Sequence, residues 1–211
     1  MENSLSHGCA LRPWTACAHN FFPHSKPLRT CKNALNIVWS RDILYPYQFG
    51  KSGFTREDMK VEKCIKESFV VIGKEGSTLD GEGFIQRLWI DANSHFEEVQ
   101  HLAKKDESGN TVGIWGAMSD FSRSFQPWED FRKGLYLAGV ECRDDAEAPN
   151  GWIKWIIPGY EYIYVECEDG GAFSTAIKYL EDNSIPLAGA VHDFTCPQTG
   201  KNYMFFPIRK L

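Results

Sequence analysis

Hydrophobic and polar positions change their spacing several times after residue 60, and each spacing predicts an element. Residues 160–166 read YEYIYVE, and we predict a strand because aromatic and β-branched residues dominate them. Successive side chains of a strand point to opposite faces, so Tyr162, Tyr164 and Glu166 share one face and apolar residues the other. The first of these faces places a carboxylate at the end of a row of aromatic rings.

Two segments carry hydrophobic residues at three- and four-residue steps, which is typical of amphipathic helices. The first runs from Ile85 to Leu102, which predicts a helix of about 20 residues. Ser77, Thr78 or Asp80 is suited to cap a helix that begins after this turn-rich segment. The second helical segment ends before Pro186, because proline interrupts the helical hydrogen bonds.

The other periodic segments predict strands, so residues 61–211 have the element order β-α-β-β twice. The stretch 152–166 holds two of these strands, and we predict a strand pair interrupted by Pro158-Gly159. Pro207 favours an edge position or a strand end for the last strand. The sequence therefore predicts an α+β fold of duplicated β-α-β-β modules, each an antiparallel sheet with one helix, forming an inter-module ligand cleft.

Residues 1–60 form a separate region, which we treat as an N-terminal extension. Their Cys and His residues match no familiar zinc-finger spacing, so we expect few ordered elements there rather than a zinc site. They also lack the paired amphipathic helices of a helix-turn-helix unit. We therefore expect no direct DNA binding from this chain, and we assign the ligand-binding domain to residues 61–211.

Net charge, apolar runs and cysteine spacing limit the partners and the cellular compartment that we expect for this protein. The formal net charge of −5 gives no overall electrostatic reason to bind nucleic acid or an anionic membrane. No apolar run approaches the roughly 20 residues of a membrane span. The seven cysteines contain no C-x-x-C pair, which favours free thiols in a reducing compartment. We therefore expect a cytoplasmic protein with no membrane partner, no metal ion and no cofactor.

A family resemblance follows from IQRLWIDANSHF, GIWGAMSD, GLYLAGVEC and DDAEAPNGWIKWIIPGYEYIYVEC, taken together with the closing strand. Over about residues 65–211 they resemble the GyrI-like small-molecule-binding domain, the effector-binding module of many AraC- and MerR-type transcription regulators. The resemblance implies multidrug-type binding of lipophilic cations or other hydrophobic compounds, with an acidic residue at the base of an aromatic pocket. Glu166 matches that residue by its place in the strand, and Tyr136 and Trp115 match aromatic positions of the first module.

The leading interpretation is a protein that senses or sequesters a hydrophobic, cationic small molecule, using the Glu166 carboxylate for charge and aromatic rings for cation–π attraction. The resemblance implies two alternatives. One is a hydrolase of cyclopropane-containing compounds, in which Glu166 is catalytic while Tyr136 or Trp115 holds the leaving group. The other is a protein that binds and inhibits DNA gyrase.

The expected ligand contacts are Glu166, Tyr136, Trp115, Tyr164, Tyr203 and Phe205. Tyr136 and Trp115 suit core packing as well as ligand contact. Tyr203 and Phe205 share one face of the last strand, and Met204 and Phe206 share the other, so either pair lines the groove. His192 and Asp193 are adjacent and point to opposite faces, which favours a structural histidine over a catalytic pair.

Overall fold

The computed structural model describes residues 60–167 and 171–211, which form one eight-stranded antiparallel sheet and two α-helices. The strands are β1 (Glu62–Lys66), β2 (Phe69–Ser77), β3 (Ile114–Ser119), β4 (Leu135–Cys142), β5 (Ile153–Ile157), β6 (Tyr160–Glu166), β7 (His192–Thr195) and β8 (Asn202–Lys210). The helices are α1 (Phe84–Ser94) and α2 (Ala172–Asp182). The predicted α+β class is confirmed, and the predictions for residues 1–59 lie outside the described residues.

The strand order in the sheet is β1-β6-β8-β7-β3-β4-β2-β5. The predicted pairing of β5 with β6 is wrong, because β5 pairs with β2 whereas β6 lies between β1 and β8. A tight two-residue hairpin needs a positive φ at its first central residue, and Pro158 is restricted to a negative φ. The Pro158-Gly159 link therefore directs the chain to the other end of the sheet.

Two short links show that the sheet curls strongly. β1 and β2 are separated by two residues, and so are β5 and β6, yet each pair joins opposite ends of the strand order. Three Cα-to-Cα steps span at most about 11 Å, so the two ends of the sheet approach each other at these links. One face of the sheet is consequently turned inward and the other outward.

Both helices pack on the outward face. From α1, Phe84, Ile85, Trp89 and Ala92 join a core cluster with residues of β2, β3 and β4. From α2, Ala172, Ala176 and Leu180 pack with residues of β6 and β8. Neither described helix has the length and apolar character of a membrane-spanning segment.

The first helix is shorter than its hydrophobic periodicity predicts. α1 ends at Ser94, and two 3₁₀ turns, Phe96–Glu98 and Gln100–Leu102, continue the segment. A 3₁₀ turn repeats every three residues, so it also returns apolar side chains to the same side and mimics a longer α-helix in the sequence. Ser77, one of the predicted caps, accepts a hydrogen bond from the Leu79 amide and caps a separate 3₁₀ turn.

β8 is an interior strand, so the edge position favoured by Pro207 is wrong. Pro207 lies opposite Tyr162, next to a register shift in β6. The pairing of β8 with β7 covers only Asn202–Phe205, so Pro207 lies beyond it. A bulge is one of the conditions under which a strand tolerates the lost N–H of proline.

Candidate functional site

The inward side of the sheet carries a continuous layer of large rings, which we call the aromatic face. Its largest members are Phe69, Trp115, Trp155, Tyr160, Tyr162, Tyr164, Phe194 and Phe205. Trp115 lies near the middle, with ring centroids 4.8 Å from Phe69 and 4.7 Å from Phe194. Tyr164 and Phe205 face each other across β6 and β8 and are stacked at 5.1 Å. Such offset and edge contacts hold the rings in fixed orientations.

A buried charge pair lies on the aromatic face. The Glu141 carboxylate is completely inaccessible to solvent. It accepts hydrogen bonds of 3.0 Å from Lys66 Nζ and 3.1 Å from Trp115 Nε1, and Lys104 Nζ lies 3.7 Å away. Buried carboxylates require this kind of compensation, because burial of an isolated charge is strongly unfavourable.

Lys66 spans the interior of the curled sheet to reach this carboxylate. It comes from β1, whereas Glu141 comes from β4, and its ammonium lies 4.2 Å from the Phe69 ring centroid and 5.6 Å from that of Trp115. Burial lowers the pKa of Lys66, although the neighbouring Glu141 acts in the opposite direction. An internal cation therefore already occupies the aromatic and acidic surroundings of Glu141.

Glu166, the predicted acidic residue, lies at the end of the aromatic face. It follows Tyr162 and Tyr164 along β6 and is paired in register with Tyr203 of β8. Its carboxylate is partly exposed and contacts Lys201 Nζ at 2.6 Å, and the Lys201 side chain is 52% exposed. Burial raises the pKa of the Tyr203 hydroxyl, and the charge of Glu166 acts in the same direction, so this carboxylate and this ring belong to one environment.

Five of the six predicted contact residues lie on one side of the sheet. Trp115, Tyr164 and Phe205 belong to the aromatic face, Tyr203 packs against it, and Glu166 lies at its end. The other pair of the last strand, Met204 and Phe206, packs under α2.

Tyr136 does not join these residues, because it lies on the outward face beneath α1. Its hydroxyl donates a 3.0 Å hydrogen bond to Asp193 Oδ2 and accepts one of 3.2 Å from Trp89 Nε1. Burial raises the pKa of the Tyr136 hydroxyl well above its usual value, and the Asp193 charge acts in the same direction. Core packing is therefore the role that these contacts support for Tyr136.

His192 and Asp193 point to opposite faces, as strand alternation predicts. Asp193 contacts Tyr136 on the outward face, whereas His192 lies 6.3 Å from Tyr162 on the aromatic face, measured between ring centroids. His192 Nδ1 accepts a 3.1 Å hydrogen bond from the Met118 amide. The two residues therefore do not form a pair.

One end of the aromatic face is covered by the loop 120–126. The pKa of Asp120 lies well below its usual range, because hydroxyl and amide donors of the loop outweigh the opposing effect of burial. Phe125 packs edge-on against Trp155 at 5.7 Å, and Arg123 forms an ion pair with Glu75. The hydrogen bonds to Asp120 thus hold in place a loop that covers the rings at this end.

Sequence reasoning did not place Lys66, Glu141 or Trp155 in this site. It placed Tyr162 on the correct strand face but did not predict that its hydroxyl is buried. Glu141 has a detectable signal: it shares strand parity with Leu135 and Leu137, so it is an acid in an otherwise apolar stripe of β4. Lys66 has no comparable signal, because its reach across the interior depends on the curl of the sheet. Among the described residues, no group of three or more His, Cys, Asp or Glu is arranged to hold a metal ion.

Comparison with solved structures finds proteins that are similar to this chain. The EcmrR C-terminal domain is similar with a TM-score of 0.51 and 12% identity, covering 73% of this chain and 99% of that domain. SAV2435, whose structure is bound to tetraphenylphosphonium, has a TM-score of 0.49 and 14% identity, covering 72% of this chain and 94% of SAV2435. No protein-family model and no curated protein matches the chain. The likeness to the EcmrR domain shows a common fold, which is consistent with the GyrI-like resemblance of the sequence.

Proposed function

We propose that this protein binds a hydrophobic, cationic small molecule on its aromatic face, in a cleft between two β-α-β-β modules. The observation that carries the proposal is the end of that face, where Glu166 lies beside aromatic rings and its lysine partner is half exposed. A ligand cation can displace such a partner with little loss, because exposed ion pairs contribute only about 0–1 kcal/mol.

Glu141 and Glu166, two of the carboxylates that adjoin the aromatic face, differ in their suitability for a ligand cation. Glu141 is fully buried and holds Lys66 and Trp115, so a ligand that displaced Lys66 would leave a buried ammonium without its counter-ion. Glu166 has a solvent-facing partner and imposes no such penalty. Of these two carboxylates, Glu166 is therefore the one that we assign to the ligand cation.

The rings beside Glu166 supply the apolar part of the binding energy. Tyr203 lies opposite Glu166 in the register, and Tyr164 and Phe205 form the adjoining stack. Each good cation–π contact contributes roughly 0.5–2 kcal/mol, in addition to the area removed from water. Trp115 extends the apolar wall toward the centre of the face.

The proposed role is that of an effector-binding domain that senses or sequesters its ligand, possessing the effector-module fold of a transcription regulator. For the hydrolase alternative, Tyr136 lies on the opposite face from Glu166, so these two predicted catalytic partners are not brought together. Turnover of a cyclopropane-containing substrate by pure protein tests that alternative. Inhibition of DNA supercoiling by pure protein tests the gyrase alternative.

Tryptophan fluorescence tests the cation assignment directly, since Trp115 and Trp155 both lie on the aromatic face. The protein is titrated with (4-benzylbenzyl)trimethylammonium and with its uncharged isostere 1-benzyl-4-neopentylbenzene. We expect wild type to bind the cation about tenfold more tightly, a difference of about 1.4 kcal/mol. The Glu166→Gln variant should lose this preference while it retains affinity for the neutral compound.

A matched control comes from the same strand. Glu161 is ion-paired with Arg209, and Glu161→Gln removes the same charge from β6. We expect this variant to keep the cation preference. Equal affinity of wild type for the two compounds, or an equal loss in both variants, contradicts a specific role of Glu166.

A further inference from the structure

Two buried polar atoms on the aromatic face have no hydrogen-bond partner among the described residues. They are Tyr162 Oη and His192 Nε2. Both side chains are completely inaccessible to solvent, and their ring centroids lie 6.3 Å apart. Buried polar groups are normally hydrogen-bonded, so two such atoms on one wall of a proposed ligand site point to a polar group of the ligand.

The hydrogen bond at His192 Nδ1 determines whether Nε2 is a donor or an acceptor. The Met118 amide donates to Nδ1, so Nδ1 carries the lone pair and the proton of the neutral ring lies on Nε2. Burial lowers the pKa of His192 to about 3, which keeps the ring neutral near pH 7. His192 Nε2 is therefore a neutral hydrogen-bond donor.

Tyr162 offers a second neutral donor. Burial raises the pKa of its hydroxyl well above the usual value, and the charge of Glu141 acts in the same direction. The rings of Tyr160 and Phe205 pack around the Tyr162 ring, with centroids 5.7 Å and 5.6 Å from it. A nearby carboxylate disfavours an anionic ligand group, whereas an uncharged oxygen acceptor suits two neutral donors.

We infer that Tyr162 and His192 bind an uncharged oxygen acceptor of the ligand, such as the carbonyl of an aromatic ketone, ester or amide. This inference rests on the proposed function and sharpens it, because it adds a polar requirement to a hydrophobic cation. The ligand class becomes an aromatic compound with a cationic group for Glu166 and a carbonyl group farther inside the aromatic face.

Four compounds separate the two requirements. The two benzyl compounds used above have a methylene bridge, and their matched partners, (4-benzoylbenzyl)trimethylammonium and 4-neopentylbenzophenone, have a carbonyl at that bridge. We expect wild type to bind each ketone about tenfold more tightly than its methylene partner. We also expect the carbonyl stretching band of the bound ketone to move to lower wavenumber than in an apolar solvent.

Two variants test whether Tyr162 and His192 cause the preference for ketones over methylene compounds. Tyr162→Phe removes only the hydroxyl, and His192→Asn keeps an acceptor for the Met118 amide while it removes the Nε2 donor. Each variant should reduce the ketone preference at least threefold. Each should also move the carbonyl stretching band of the bound ketone part of the way back toward its position in an apolar solvent. Tyr179→Phe removes a hydroxyl from α2 outside the aromatic face. This control variant should keep both the ketone preference and the shifted carbonyl band. Tyr162→Phe also decides the question alone if the histidine variant does not fold.

The outcomes are distinguishable from those of the proposed function. Equal affinity for ketones and methylene compounds, or a ketone preference that both variants keep, overturns the inference and leaves the cation assignment intact. A ketone preference without any cation preference supports the inference and contradicts the role of Glu166. Failure of all four compounds to bind overturns both.

Discussion

Two buried carboxylates lie on opposite faces of the same sheet, and the protein accommodates them in different ways. Glu141, on the aromatic face, is paired with Lys66 and accepts the indole N–H of Trp115. Asp193, on the outward face, accepts the hydroxyl of Tyr136, and its Oδ1 has no hydrogen-bond partner among the described residues. One carboxylate thus has a full counter-ion and the other has only a neutral donor.

This difference determines the protonation of Asp193. Burial raises the pKa of Asp193 to about 7, although the hydrogen bond from Tyr136 acts against the shift. A neutral donor stabilises a buried carboxylate less than an ammonium does, so protonation competes with ionisation near neutral pH. The comparison teaches that burial alone does not define the state of a carboxylate; the partner decides it.

The largest expected effect comes from breaking the ion pair. Glu141→Gln leaves Lys66 buried without its counter-ion, and we expect the free energy of unfolding to fall by about 3–5 kcal/mol. Urea denaturation of wild type and variant measures this. The double variant Glu141→Gln with Lys66→Met removes both charges and should recover much of the loss. A double variant no more stable than the single one contradicts the assignment of the loss to an unpaired ammonium.

Asp193→Asn should have the opposite sign. The folded-state pKa of Asp193 is about 7 and its usual value is 3.8, so ionisation penalises the folded state increasingly from about pH 4 to pH 7 and fully above pH 7. We expect Asp193→Asn to raise the free energy of unfolding by up to about 4 kcal/mol at pH 8. Relative to wild type this gain should disappear near pH 4. A gain that is the same at both pH values contradicts a titrating Asp193.

His192, the neighbour of Asp193 on the other face, gives a mirror image of this pH dependence. Its folded-state pKa is about 3 and its usual value is 6.5, so the folded state loses stability as the pH falls from 6.5 toward 3. Relative to wild type, His192→Asn should therefore be more stable at pH 4.5 than at pH 7, by on the order of 2 kcal/mol. Urea unfolding at the two pH values measures the difference, and a pH-independent difference contradicts it.

The sequence predicts well what depends on local alternation. The facial assignment of Glu166 with Tyr162 and Tyr164, and the opposite orientations of His192 and Asp193, follow from the two-residue period of a strand. The α+β class follows in the same way from the order of periodic segments. Local periodicity carries this information because neighbouring side chains along one element determine it.

What the sequence did not predict depends on distant pairing. The partners of β5 and β6 are set by the curl of the whole sheet, which no local period reports. For the same reason the ion pair between Lys66 and Glu141, which are 75 residues apart, is absent from the predicted site. The resemblance places Tyr136 in the site, whereas its strand parity puts it on the face beneath α1.

The smallest expected effect concerns the exposed counterpart of the buried pair. Lys201→Met removes the competitor for Glu166, and we expect the affinity for (4-benzylbenzyl)trimethylammonium to rise about two- to fivefold, since exposed ion pairs contribute about 0–1 kcal/mol. Lys63→Met removes the same charge from an exposed position of β1 and serves as the control. The free energy of unfolding should change by less than about 1 kcal/mol in both variants, in contrast to Glu141→Gln.

Fluorescence titration with the cation and its neutral isostere then gives the decisive comparison. A rise confined to the cation and to Lys201→Met means that ligand and lysine compete for one carboxylate, whereas equal rises in both lysine variants reflect net charge alone and contradict the assignment to Glu166.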